Sequence, residues 1–199
     1  MSAELHLTAC HIGILRNHTP IVRGLDLDIA AGHAYYLRGD NGSGKTTLLQ
    51  ALAGLLAIQA GSIERHVPLI YLGHRPGIKG VLCVRENLAL AARLYHQHQP
   101  DNAELERAIA AVGLSRQMMR QTRHLSAGQQ RRTQLARLWL PCPPLWLLDE
   151  PLTALDVHAA AALAAHCRAH VRAGGSLVVT SHQPFDFGDI PLTEWNLSP

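Results

Sequence analysis

No run of about 18 or more apolar residues occurs in this 199-residue chain, so no segment is expected to cross a membrane as a helix. The stretch Met1 to Gly13 lacks the basic region leading into an apolar one that marks a secretion signal. Dense Lys/Arg runs interleaved with aromatics are also missing, and a net charge of +3 is too mild to argue for nucleic acid; no nucleic-acid partner is expected. The four cysteines, Cys10, Cys83, Cys142 and Cys167, never form a Cys-x-x-Cys pair, which leaves reduced, mostly buried thiols. Thirteen histidines invite a metal reading, yet His-Glu-x-x-His and Cys-x-x-Cys-His are both absent. His166 and His170 share one helix face, and His96 and His98 flank a polar stretch; packing or solvated roles are expected for all four. With charged residues at 17% and hydrophobic ones at 47%, disorder is excluded and one globular unit is expected.

Residues 4–38 alternate apolar and polar positions around Leu5, Leu7, Leu25, Leu27 and Ile29, then condense into Ala34-Tyr35-Tyr36-Leu37 before Gly39. Strands ending in a glycine loop fit that pattern. From Gly44 to Gly54 the apolar spacing is helical, a turn is expected at Ala60-Gly61, and Leu69 to Leu72 reads as a strand. Two helices, Val84–His98 and Asn102–Val112, are separated by Gln99-Pro100-Asp101, and a third is expected from an N-cap at Ser126 to Leu140. After the prolines at 141–144 come a strand at 145–148, a helix at 157–172 closed by Gly174-Gly175, and a strand at 177–180. Apolar strands alternating with helices imply an α/β fold with a mainly parallel sheet. Residues 1–78 and 141–199 are expected to form the α/β core, including an N-terminal antiparallel β subdomain, with 79–140 as a helical insertion.

The chemistry concentrates in Gly39-Asp40-Asn41-Gly42-Ser43-Gly44-Lys45-Thr46, which fits Gly-x-x-x-x-Gly-Lys-[Ser/Thr] with a strand before it and a helix after. Glycines at 39, 42 and 44 let backbone N–H groups turn inward onto phosphate oxygens, and the helix start adds its positive dipole end. Lys45 is expected to reach the β- and γ-phosphates, Thr46 to ligate Mg²⁺, and Thr47 to belong to the same nucleotide-binding set. A carboxylate at the end of a neighbouring strand completes such a site. Asp149 is the expected metal-side group, and Glu150, one residue on, the general base for the attacking water.

Further motifs carry a resemblance. Leu125-Ser126-Ala127-Gly128-Gln129-Gln130-Arg131-Arg132, between the phosphate loop and Asp149-Glu150, is similar to the LSGGQ-type signature of the ATP-binding cassette (ABC) family, a class of P-loop NTPases. Order and spacing match across nearly the whole chain. The resemblance implies an ATPase in which Ser126, Gly128 and Gln129 close on the ATP of a second copy, so that a homodimer sandwiches two nucleotides. Thr153-Ala154-Leu155-Asp156 resembles the D-loop crossing that seam, and Asp156 is equally suited to cap the following helix. Thr180-Ser181-His182-Gln183 resembles the segment whose histidine contacts the γ-phosphate, which makes His182 a catalytic candidate.

At two positions the chain departs from the family pattern. Arg16 falls where an aromatic ring usually stacks on adenine, and no Tyr, Phe or Trp lies within residues 1–34; the planar guanidinium is expected to replace the ring. His74 stands where a glutamine follows the strand at 69–72, and its imidazole is expected to touch the Mg²⁺ shell or the attacking water. The helical insertion and the Gly73–Gly80 loop would, by the same resemblance, dock a separately encoded transmembrane permease. Segments at 73–79, 125–132, 135–140 and 181–184 together resemble the haem-exporter ATPases of bacterial cytochrome c maturation. That branch implies a haem-handling membrane complex and a peripheral location on the cytoplasmic face of the inner membrane. A soluble cassette ATPase serving as an assembly factor, and an exporter ATPase with another cargo, stay open. A DNA-repair cassette would need a long heptad insertion that the stretch from Lys45 to Asp149 cannot house, and a GTPase would need an Asn-Lys-x-Asp base reader, which is absent.

Overall fold

The structure, a computed structural model, describes residues 4–16, 19–95 and 99–197, with Arg16, Thr19 and Tyr95 described by their backbone alone. In chain order the elements are β1 (Leu5–Arg16), β2 (Thr19–Ala30), β3 (Ala34–Arg38), α1 (Lys45–Leu52), β4 (Ala60–Arg65), β5 (Leu69–Leu72), α2 (Val84–Tyr95), α3 (Asn102–Ala111), α4 (Ala127–Leu135), β6 (Leu145–Asp149), α5 (Val157–Arg172), β7 (Ser176–Thr180) and β8 (Leu192–Asn196). They form two compact units: Met1–Tyr71, Pro144–Glu150 and Ala164–Pro199 make the first, Leu72–Pro143 and Pro151–Leu163 the second. Segment Pro151–Leu163, which chain order alone assigns to the α/β core, belongs instead to the helical unit.

The first unit holds an antiparallel sheet of order β2-β1-β4 and a five-stranded sheet of order β5-β6-β7-β3-β8, whose pairs β6–β7, β3–β7 and β3–β8 are parallel. In β1 the buried apolar residues sit at odd positions through Ala9 and at even ones from Ile12, so the ladder with β2 must absorb an extra residue. His11 provides it, with φ at 48° and its N–H turned to Asp26 Oδ1 at 2.7 Å. The turn expected at Ala60-Gly61 is the start of β4, an edge strand that is mostly exposed and therefore carries little apolar signal. Gly61 there has φ +80, and a Cβ would stand 2.2 Å from Cys10 O, so no other residue fits against the β1 bulge. Strand β8, also on an edge, was not anticipated; its sequence LTEWN alternates exposed and half-buried positions. A single core joins the two sheets and α1, including Leu7, Ile14, Leu37, Leu48, Leu52, Leu147 and Val178.

In the second unit Leu88, Leu105, Ile109, Leu114, Leu125 and Ala136 pack the helices on one core. Helix α3 begins at a capping box of Asp101 and Glu104, as Pro100-Asp101 implies. Helix α4 ends at Leu135, and the chain continues as a 3-10 turn over Ala136–Trp139 rather than as one α-helix to Leu140. His96 and His98, expected to close the first helix of the insertion, lie outside the described residues.

Candidate active site

Strand β3 is buried over its first four residues, and the chain leaves its C-terminal end directly into the glycine loop, the usual ligand-binding end of a parallel sheet. Two glycines are obligatory there. Gly39 has φ +144, and a Cβ would stand 2.6 Å from Ser43 Oγ and 2.4 Å from Leu197 O; Gly44, at φ +99, caps α1, and a Cβ would stand 2.1 Å from Ile21 Cγ2. Gly42, at φ +88, faces open space. Lys45 Nζ donates to Gly39 O at 2.6 Å and to Asp40 O at 3.0 Å, which holds its ammonium at the mouth of the loop. The Ser43 hydroxyl is buried and makes no hydrogen bond among the described residues. A cavity of about 210 Å³ opens between this loop, at Asn41, Gly42 and 44–47, and Asp149, Glu150 and His182.

Opposite the loop, β6 and β7 run in a register that sets Asp149 beside Thr180. Asp149 is 1% exposed, and three hydroxyls replace the water it has lost: Thr180 donates to Oδ1 at 2.9 Å, and Thr46 and Tyr71 donate to Oδ2 at 2.9 and 3.4 Å. The Thr180 hydroxyl in turn accepts the Glu150 N–H at 2.9 Å. Glu150 has φ 50, a left-handed conformation that costs a non-glycine residue on the order of 1 kcal/mol and is typical of functional turns. That turn carries its carboxylate to His182, whose backbone N–H donates to Oε2 at 3.1 Å and whose Nε2 stands 3.5 Å from Oε1. The structure therefore brings Lys45, Thr46, Asp149, Glu150 and His182 to one cavity. Sequence reasoning missed Tyr71 and Thr180; the one available signal was a polar residue ending each neighbouring strand.

Ser126, Gly128, Gln129, Asp156 and His74 belong to the second unit. Ser126 caps α4 through a reciprocal box, its Oγ accepting from Gln129 N at 3.3 Å while its own N–H donates to Gln129 Oε1 at 3.1 Å. A Cβ on Gly128 would stand 2.7 Å from Ala154 O, so glycine lets the helix start press on the loop before α5. Asp156 accepts from Ala159 N at 2.8 Å, the helix-cap role foreseen for it. His74 is exposed, and its carbonyl accepts from Arg131. The Arg16 side chain lies outside the described residues.

His170 and His6 have structural roles. His170 stacks on Trp146 with ring centroids 3.7 Å apart, and its Nε2 bonds Pro144 O at 2.9 Å; burial brings its pKa down to about 4. Burial also lowers the pKa of His6, whose Nδ1 bonds Ser176 Oγ at 2.8 Å. None of the four cysteines forms a disulfide; Cys10 is exposed, and burial lifts Cys142 and Cys167 to about 12, which keeps them as unreactive thiols. Among the described residues no group of three or more His, Cys, Asp or Glu is arranged to hold a metal ion. No described helix is long and apolar enough to cross a membrane.

A loop whose Gly39 and Gly44 have no room for a side chain, an unsatisfied buried hydroxyl and a lysine at its mouth suit the oxygens of a polyphosphate, and the hydroxyl–carboxylate pair Thr46–Asp149 offers the hard oxygens that Mg²⁺ prefers. Such a site defines a P-loop nucleotide-binding protein. Residues 22–153 match the ABC transporter family. The chain belongs to that family, and it is an ATP-hydrolysing subunit of that class. It is 42% identical to the cytochrome c biogenesis ATP-binding export protein CcmA of Pseudomonas putida over 96% of this chain and 98% of that one. The CcmA protein of Alkalilimnicola ehrlichii is also 42% identical, over 96% of this chain and 86% of its own. In fold it is similar to a dimeric post-hydrolysis ATP-binding cassette bound to ADP and phosphate, with a TM-score of 0.77 and 19% identity over 89% of this chain and 88% of that one.

Proposed function

We propose that this chain binds Mg-ATP in the Gly39–Thr47 cradle and drives, by hydrolysis, a membrane complex of cytochrome c maturation that exports haem or releases a haem-carrying partner. The observation that carries the chemistry is the continuous hydrogen-bonded path Thr46–Asp149–Thr180–Glu150, which ties the phosphate loop to the candidate base. Main-chain N–H groups of residues 39–47 and the Lys45 ammonium bind the phosphates, while Thr46 and Asp149 hold Mg²⁺. When bound, the ion supplies a Lewis acid that draws charge from the phosphate oxygens. Glu150 takes the proton of the attacking water, and His182 orients the Glu150 carboxylate and contacts the γ-phosphate. His74 adds a contact to the metal shell or the water, and Arg16 stacks on the adenine.

Two copies act together. Ser126, Gly128 and Gln129 of one copy close on the nucleotide of the other, with Asp156 at the seam, an arrangement supported by the dimeric cassette of similar fold. The role in cytochrome c biogenesis export is taken from the names of the relatives. Within the same proposal haem is the cargo, and the chain sits peripherally at the cytoplasmic face of the inner membrane, on a separate transmembrane permease. Affinity isolation from detergent-solubilised membranes tests this reading. Recovery of transmembrane subunits of a haem-handling complex is expected; a chain recovered wholly from the soluble fraction, with none, favours an assembly factor.

A further inference from the structure

Helix α4 reads AGQQRRTQL, almost wholly polar, yet Arg131, Thr133 and Gln134 are only 3%, 1% and 2% exposed. A guanidinium leaves water only where acceptors replace the solvent. For Arg131 these include main-chain carbonyls: Nη1 donates to Gly73 O at 2.8 Å and His74 O at 3.5 Å, and Nε to Pro151 O at 3.3 Å. Nη1 also donates to Gln134 Oε1. That contact fixes which way the Gln134 amide faces and turns its N–H groups to the same loop, where Nε2 donates to Gly73 O and Arg75 O, each at 3.2 Å.

Three pieces of chain are thus tied to one helix. They are the helix start with Ser126 and Gly128, the irregular loop Gly73–Arg75, and Pro151, which follows Glu150 in the sequence. The loop carbonyls belong to no strand or helix, so side-chain donors from α4 set their position. We propose that Arg131 and Gln134 are positioning residues that register the loop after β5, and the residue after the hydrolytic carboxylate, against the signature helix. Movement of that loop is then transmitted to both. The inference deepens the ATPase reading and rests on it.

Gln134→Glu keeps an acceptor for Arg131 but removes both N–H donors to the loop; Arg131→Lys keeps the charge and loses the fork. Gln134→Met preserves shape alone. Steady-state hydrolysis and amide exchange of the full chain are the readouts. In the first two variants kcat should fall about tenfold or more with KM for ATP within about twofold, and exchange at 73–77 should rise about tenfold while 39–47 stays unchanged. Gln134→Met, which introduces no charge and also removes both donors, should show the same exchange pattern. General destabilisation would instead speed exchange in both segments. Folded variants with parental kcat and parental exchange at 73–77, or with equal acceleration in both segments, overturn the proposal. Parental hydrolysis in Lys45→Ala would defeat the ATPase reading instead, and the exchange measurement, which needs no nucleotide, separates the two failures.

Discussion

His182 holds one end of the Glu150 carboxylate and faces the other, giving its backbone N–H to Oε2 at 3.1 Å and placing ring Nε2 3.5 Å from Oε1. With Glu150 itself 15% exposed and held at φ 50, this carboxylate is oriented before any water reaches it. Glu150→Gln keeps the shape and loses the base. Hydrolysis should fall by about 10²–10⁴-fold with nucleotide affinity retained, and sedimentation velocity should find an ATP-dependent dimer. A variant that turns over at the parental rate removes Glu150 from the mechanism.

The Thr180 hydroxyl serves two residues at once, donating to Asp149 Oδ1 and accepting from Glu150 N. In Thr180→Val both groups lose that partner inside the protein, at a cost of about 1–3 kcal/mol. Thermal melting should shift down by roughly 2–10 °C, and hydrolysis should drop with it. Thr180→Ser, which keeps the hydroxyl, should recover most of both; an unshifted Thr180→Val melt would show that the bridge carries no weight.

Stability should also depend on acid through His170. Burial lowers its pKa from 6.5 to about 4, so between those values the unfolded chain binds a proton that the folded one refuses. The stabilisation is complete above about pH 6.5 and is lost as pH falls toward 4, with His6 acting in the same direction. Urea titrations at pH 7 and pH 5 should show a lower midpoint at pH 5. His170→Phe should reduce that difference; an identical pH dependence in the variant would assign it to other groups.

How far the sequence discloses the molecule varies by element. The phosphate loop is legible because its glycines and lysine answer a local demand of backbone geometry, and Asp149-Glu150 because an apolar strand precedes it. Edge strands β4 and β8 are not, since half their surface faces water and the apolar alternation that marks a strand is diluted. Tyr71 and Thr180 acquire their roles only through the register of neighbouring strands. Nothing in the order of residues marks Arg131 and Gln134 as buried, and only the fold turns them inward onto carbonyls of a distant loop. The same non-locality moves Pro151–Leu163 into the helical unit.

Titration calorimetry with Mg-ATP, comparing the parental chain with Lys45→Ala, bears most directly on the phosphate cradle. Lys45 is held by Gly39 O and Asp40 O at the mouth of the loop, so its loss should abolish a binding signal that the parental chain gives. Absence of heat with the parental chain, or equal heats from the two proteins, is incompatible with a nucleotide held at Gly39–Thr47.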